Sequence, residues 1–132
     1  MSAAKPKVLV IEDEEGIRKF IQRALEPTYQ VQLASSGEEG LSQVRWVKPD
    51  VILLDVRMPG MDGLAVLAKL KADQETSGIP VVIVSVQGES DMLLESQRSG
   101  ASDHVIKPFN IDDLRRVIQR QVVMRTGGSG TT

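Results

Sequence analysis

Three unbroken apolar runs, Val8-Leu9-Val10-Ile11, Val51-Ile52-Leu53-Leu54 and Val81-Val82-Ile83-Val84, constrain this chain more than any other feature. Runs of this length, built from β-branched residues and leucine, suit strands covered on both faces, as in a parallel sheet between two helical layers. Two further runs are weaker. Tyr29-Gln30-Val31-Gln32-Leu33 alternates apolar with polar, and the stretch from His104 to Ile106 is brief. Both suit sheet edges with one wetter face.

Helical patterns fill the gaps between the runs. Ile17, Phe20, Ile21, Ala24 and Leu25 keep to one helical face, and Pro27 stops that helix. Ser36 with Glu39 forms a capping box for a second helix carrying Leu41 and Val44. Asp62 caps a third, with Leu64, Leu67 and Ala68 expected inward. A fourth, of poor period, is expected from Glu89 to Ser99, and Asn110 caps a fifth whose stripe is Leu114, Ile118 and Val122. Strands alternating with helices imply right-handed crossovers and helices on both faces of the sheet. The three wholly apolar strands belong at its centre and the two weaker ones at its edges. The flavodoxin-like order 2-1-3-4-5 meets that requirement. The expected fold is therefore a three-layer α/β/α domain over residues 1–126. Residues 127–132 have the composition of a flexible tail, linker or cloning scar.

Composition narrows the chemistry. With no cysteine and a single histidine, disulfide frameworks, thiolate nucleophiles and multi-histidine metal sites are excluded. Sixteen basic against eighteen acidic residues leave a net charge of −2, which argues against a nucleic-acid surface covering the domain. Aromatics at 3% make base-stacking platforms a poor fit. No stretch approaches the ~20 apolar residues of a membrane span, and the apolar run after Lys7 is too short for a signal-peptide core. A cytoplasmic location is expected. Carboxylate, hydroxyl and amine chemistry remains.

In open α/β sheets, ligands bind beyond the carboxyl ends of the strands, where the strand order reverses. The first strand runs into Glu12-Asp13, the third into Asp55, the fourth into Ser85 and the fifth into Lys107-Pro108. Taken singly, each has a structural explanation. Glu12 to Glu15 suits a helix start favoured by the macrodipole, Asp55 a turn, Ser85 a strand end, Lys107 a solvated loop. Their coincidence at four strand ends is what points to a site. Three crowded carboxylates repel one another unless a cation joins them. Oxygen-only ligands of this kind suit Mg²⁺. An aspartate there can act as a nucleophile and become an aspartyl phosphate, provided that cations neutralise the phosphoryl oxygens.

The segments Val8 to Glu14, Pro49 to Gly63 and Lys107-Pro108-Phe109 resemble the receiver domain of bacterial two-component response regulators. The likeness runs from about Lys7 to Arg125. It implies a phosphorylation-controlled signalling module in which Asp55 accepts a phosphoryl group from a sensor histidine kinase or phosphotransfer protein. It further implies that Asp13 binds Mg²⁺ directly with Asp55, that Glu12 lies alongside through water, and that the backbone carbonyl of Arg57 completes the protein ligands. Ser85 would be the switch hydroxyl, Lys107 the phosphoryl contact with a cis bond to Pro108, and His104 the occupant of a switch position that usually holds Tyr or Phe. Signalling would pass through the fourth and fifth elements to a downstream protein or an output domain, without direct nucleic-acid or membrane binding. Homodimerisation through the same elements is left open.

Four residues depart from the family pattern: Glu12 replaces the commoner Asp, Ser85 the commoner Thr, Val86 a small residue, and His104 an aromatic. The bulk of Val86 is expected to crowd the phosphoryl pocket. Two other functions share these residue types. An aspartyl-phosphate hydrolase would want a carboxylate two residues after Asp55, where this chain has Arg57. A flavodoxin-like cofactor binder would want a Gly-rich or hydroxyl-rich phosphate loop, where this chain has Glu12-Asp13-Glu14-Glu15. The domain is expected to be no enzyme, beyond slow self-dephosphorylation.

Overall fold

The computed structural model describes residues 5–130 apart from Pro59, Met61, Gln87 and Glu89, with side chains described as far as Met124. Strands and helices alternate throughout: β1 (Lys7–Ile11), α1 (Glu15–Leu25), β2 (Gln30–Ala34), α2 (Gly37–Val47), β3 (Val51–Asp55), α3 (Gly63–Ala72), β4 (Val81–Val86), α4 (Ser90–Arg98), β5 (Asp103–Lys107) and α5 (Ile111–Gly130). The five strands form one parallel sheet of order β2-β1-β3-β4-β5, as the run composition requires. Every residue of β3 is buried, whereas β2 and β5 are partly exposed.

Alternate strand residues feed two separate cores, because successive side chains point to opposite faces. Val8, Val10, Leu53, Val82 and Val84 pack with Ile21, Leu25, Leu114 and Ile118 of α1 and α5. Leu9, Ile11, Ile52, Leu54 and Ile83 pack with Val44, Val66, Leu67 and Leu70 of α2 and α3. Each buried aliphatic chain contributes ~1.5–3 kcal/mol relative to exposure. The central strands are thereby clamped from both sides, which fixes the heights at which their carboxyl ends emerge.

The helix ends follow the expected chemistry. Ser36 Oγ accepts from the Glu39 amide (3.1 Å), Asp62 Oδ1 from Ala65 N (2.9 Å), and Asn110 Oδ1 from Asp113 N (2.7 Å). The Glu39 carboxylate returns to the amide and hydroxyl of Ser35, one residue earlier than a capping box requires.

Two helix faces differ from expectation. In α3 the buried set is Gly63, Val66, Leu67 and Leu70, while Leu64 is half-buried and Ala68 exposed. That helix is apolar nearly all round, so its period does not select a face. Contact with the sheet does: a Cβ on Gly63 would lie 2.4 Å from both the carbonyl oxygen of Asp55 and Cα of Val56. In α1, Phe20 is 42% exposed instead of buried, leaning on Phe109 with ring centroids 6.1 Å apart. The fourth helix begins at Ser90, and Glu89, its expected first residue, lies outside the described residues. The α5 backbone continues to Gly130, into the segment read as a tail, and Thr131 and Thr132 lie outside the described residues.

Candidate functional site

Asp55 is the last residue of β3, Ser85 lies near the end of β4, and Lys107 closes β5. Glu12 and Asp13 follow directly on β1. Because β1 and β3 are neighbours, their carboxyl ends bring Glu12, Asp13 and Asp55 together. One carboxylate oxygen from each lies within 4.8 Å of the others. Glu12 and Asp55 are buried and Asp13 half-buried.

The one lysine in this cluster is held between two acids. Lys107 Nζ lies 3.4 Å from Asp55 Oδ2 and 3.5 Å from Glu12 Oε1. Asp55 Oδ1 accepts from the Arg57 amide (3.0 Å) and Glu12 Oε2 from the Glu14 amide (3.1 Å). Glu12 Oε1 is buried and accepts no hydrogen bond. Burial, reinforced by the Asp55 charge, pushes the Glu12 carboxyl up to about 7, with the Glu14 amide and Lys107 opposing. Burial works against the charge on Lys107, but the Asp55 and Glu12 carboxylates outweigh it and raise its pKa.

These observations test whether a divalent cation suits the site. Three carboxylates against one lysine leave excess negative charge in a buried place, and one carboxylate oxygen accepts no hydrogen bond. A hard cation with oxygen ligands answers both deficits. The residues fit Mg²⁺.

The remaining expected residues fall around this centre. Ser85 is buried at the end of β4, one residue beyond Val84, which pairs with Asp55 in the sheet register. Arg57 is exposed at the start of the β3–α3 loop, its amide on Asp55. His104 sits on the edge strand β5 opposite Ile83, half-buried, with Nδ1 4.0 Å from Asp103 Oδ1. The Lys107–Pro108 bond is cis.

The chain belongs to the response regulator receiver family. The family model for the response regulator receiver domain matches residues 8–119. The receiver is 36% identical over 121 residues to sporulation initiation phosphotransferase F of Bacillus subtilis, covering 91% of this chain and 96% of that protein. It is 35% identical over 118 residues to the transcriptional regulatory protein KdpE of Staphylococcus aureus, covering 86% of this chain but 50% of the relative. Among solved structures, the chemotaxis protein CheY4 of Vibrio cholerae superposes with a TM-score of 0.84 at 29% identity, covering 89% of this chain and 98% of that one. The receiver thus spans nearly all of one relative and half of another. Its role is that of a phosphoacceptor signalling domain.

Sequence reasoning missed one residue of the receiver site. Arg18, in the first turns of α1, donates from one guanidinium nitrogen to the carbonyls of Glu12 and Asp13, both at 2.9 Å. It ties the acidic loop to the helix that follows. A signal was available. A cation near a helix N-terminus opposes the macrodipole, so it needs nearby acceptors. No helix among the described residues is long and apolar enough to cross a membrane.

Proposed function

We propose that Asp55 is the phosphoacceptor of a cytoplasmic two-component receiver, loaded by a histidine kinase or phosphotransfer protein in a Mg²⁺-dependent reaction. The observation that carries this reading is the convergence of Glu12, Asp13 and Asp55 about Lys107 at the strand ends. Glu12, Asp13, Asp55 and the Arg57 carbonyl would hold the metal. When bound, Mg²⁺ neutralises charge on the transferring phosphoryl group and on the crowded carboxylates.

The chain's own residues do the rest. An Asp55 carboxylate oxygen attacks phosphorus in line while the bond to the donor nitrogen breaks. The Arg57 amide holds the other Asp55 oxygen and so aims the attacking one. Lys107, already against Asp55, pairs with a phosphoryl oxygen, and the Ser85 hydroxyl donates to another. Phosphorylation adds ~−1.5 to −2 charge, drawing Ser85 and Lys107 inward and biasing β4, α4 and His104 on β5 toward the signalling state. A downstream protein or an output domain reads that state. Exposed Arg57 offers no general acid two residues after Asp55, which supports signalling with slow self-dephosphorylation over dedicated hydrolysis. Residues 1–126 act as the receiver unit, and residues 127–132, into which the α5 backbone runs as far as Gly130, are read as lying outside it.

Incubation with Mg²⁺ and phosphoramidate should add one phosphoryl group by intact mass. Asp55→Asn, or chelation with EDTA, should abolish the addition. Labelling of Asp55→Asn at the wild-type level would refute the assignment.

A further inference from the structure

The two edges of the sheet are not alike. β5 carries Asp103 and Lys107, the kind of charge that blunts an edge against pairing. β2, Gln30-Val31-Gln32-Leu33-Ala34, carries no charge and no proline. The Gln30 amide donates to the Pro6 carbonyl and the Ala34 carbonyl accepts from the Glu12 amide, so Gln30, Gln32 and Ala34 direct their backbone groups to β1. Val31 and Leu33 therefore turn theirs outward. Of these four outward groups only the Leu33 carbonyl is engaged among the described residues, by Gln43 Nε2 at 3.3 Å. Beside the edge stands Trp46, the one tryptophan of the chain, 67% exposed and sharing a shallow pocket with Lys7, Gln30, Val31 and Gln32.

We propose that the β2 edge is a homodimerisation surface, pairing antiparallel with β2 of a second copy about a two-fold axis at Gln32. The proposal does not depend on the role of Asp55. In this register Val31 lies opposite Leu33 of the second copy, and Leu33 opposite its Val31. Every outward N–H and C=O of the edge then gains a partner, and a carbonyl accepts twice, so Leu33 keeps Gln43 as well. Gln32 faces its own copy in a non-hydrogen-bonded pair, with Cα atoms ~4.5 Å apart and the side-chain amides within reach of each other. Charge selects a second copy over an unrelated strand. Lys7 and Trp46 flank the amino end of β2, and Glu39 flanks its carboxyl end, where its carboxylate holds the Ser35 amide. Antiparallel pairing sets Glu39 of each copy toward Lys7 and Trp46 of the other. The two α2 helices lie on the same side of the joined sheet and run antiparallel, which brings opposite dipole ends together.

Sedimentation velocity and Trp46 emission, each across a concentration series, read the pairing. Wild type should pass from monomer to dimer over about 1–100 μM, with emission moving to the blue as Trp46 is covered. Two variants alter the edge and leave the hydrogen bonds to β1 in place. Val31→Pro removes an outward N–H, at the kind of edge position where a strand tolerates proline. Gln32→Lys sets two like charges opposite each other at the axis. Each should raise the dissociation constant about tenfold or more and abolish the blue shift, with the far-ultraviolet dichroism unchanged. Should Val31→Pro fail to fold, Gln32→Lys decides alone. A dimer that survives the substitutions lies elsewhere on the surface and overturns the proposal. So does a wild type still monomeric at about 1 mM, which would leave the edge to a strand of another protein.

Discussion

The two halves of the site rim are built differently. On the β1–β3 side, Glu12, Asp13 and Asp55 stand at the carboxyl ends of central strands and are held from behind. Arg18 fixes the acidic loop, and the Gly63 end of α3 lies directly on the Asp55–Val56 backbone. On the β4–β5 side, only Ser96 of α4 is buried, and Leu94 and Ile106 are exposed. Catalytic geometry wants pre-set groups, whereas a switch needs an element whose displacement costs little. On the proposed reading, the acceptor and metal-holding carboxylates sit on the tightly packed half, and the response belongs to the loosely seated half.

The largest expected effect tests the one group that joins both halves. Lys107→Ala should slow phosphorylation of Asp55 about 10²–10³-fold, while Mg²⁺ binding by calorimetry is retained or tightened because a competing cation is gone. Equal losses of rate and metal affinity would mean that Lys107 serves only to hold the cluster together.

Next come the supports. Gly63→Ala should cost about 1–3 kcal/mol by urea denaturation, because the new methyl meets backbone that cannot move aside. Leu94→Ala on α4 should stay within about 0.5 kcal/mol. Similar costs for the two would erase the contrast between the halves.

A pH experiment probes the same region without altering the backbone. The Glu12 carboxyl, ordinarily at 4.5, sits at about 7 in the fold. A raised folded pKa means that the folded state holds the proton more tightly. The stabilisation from Glu12 is therefore complete below about 4.5 and is lost as pH rises through 7. Without metal, the melting temperature should fall between pH 5 and pH 8 more steeply in wild type than in Glu12→Gln. Adding Mg²⁺ at pH 8 should recover it in wild type. A wild-type slope no steeper than that of the variant would contradict the buried, under-neutralised carboxylate.

Arg18 gives the smallest expected effect. Arg18→Ala should weaken Mg²⁺ binding several-fold, with partial recovery in Arg18→Lys, while the far-ultraviolet dichroism stays unchanged. No change in affinity would limit Arg18 to packing.

Strand order and the acidic cluster were legible in the residues because both follow from local rules. Apolar runs sort central from edge strands, and the strand-end rule names positions where Glu12, Asp13 and Asp55 then occur. The α3 face was not legible, since Leu64, Val66, Leu67, Ala68 and Leu70 offer several apolar stripes and only the Gly63 contact selects one. Phe20 shared the spacing of its buried neighbours, and its real partner, Phe109, lies far away in sequence.

Borohydride reduction after loading with phosphoramidate tests the central claim most directly, since it converts an aspartyl phosphate to homoserine at the modified position. Peptide mapping should find homoserine at position 55 alone, and only when Mg²⁺ was present during loading. Homoserine at position 13 instead, or none at position 55 in protein shown by intact mass to carry a phosphoryl group, would contradict the account.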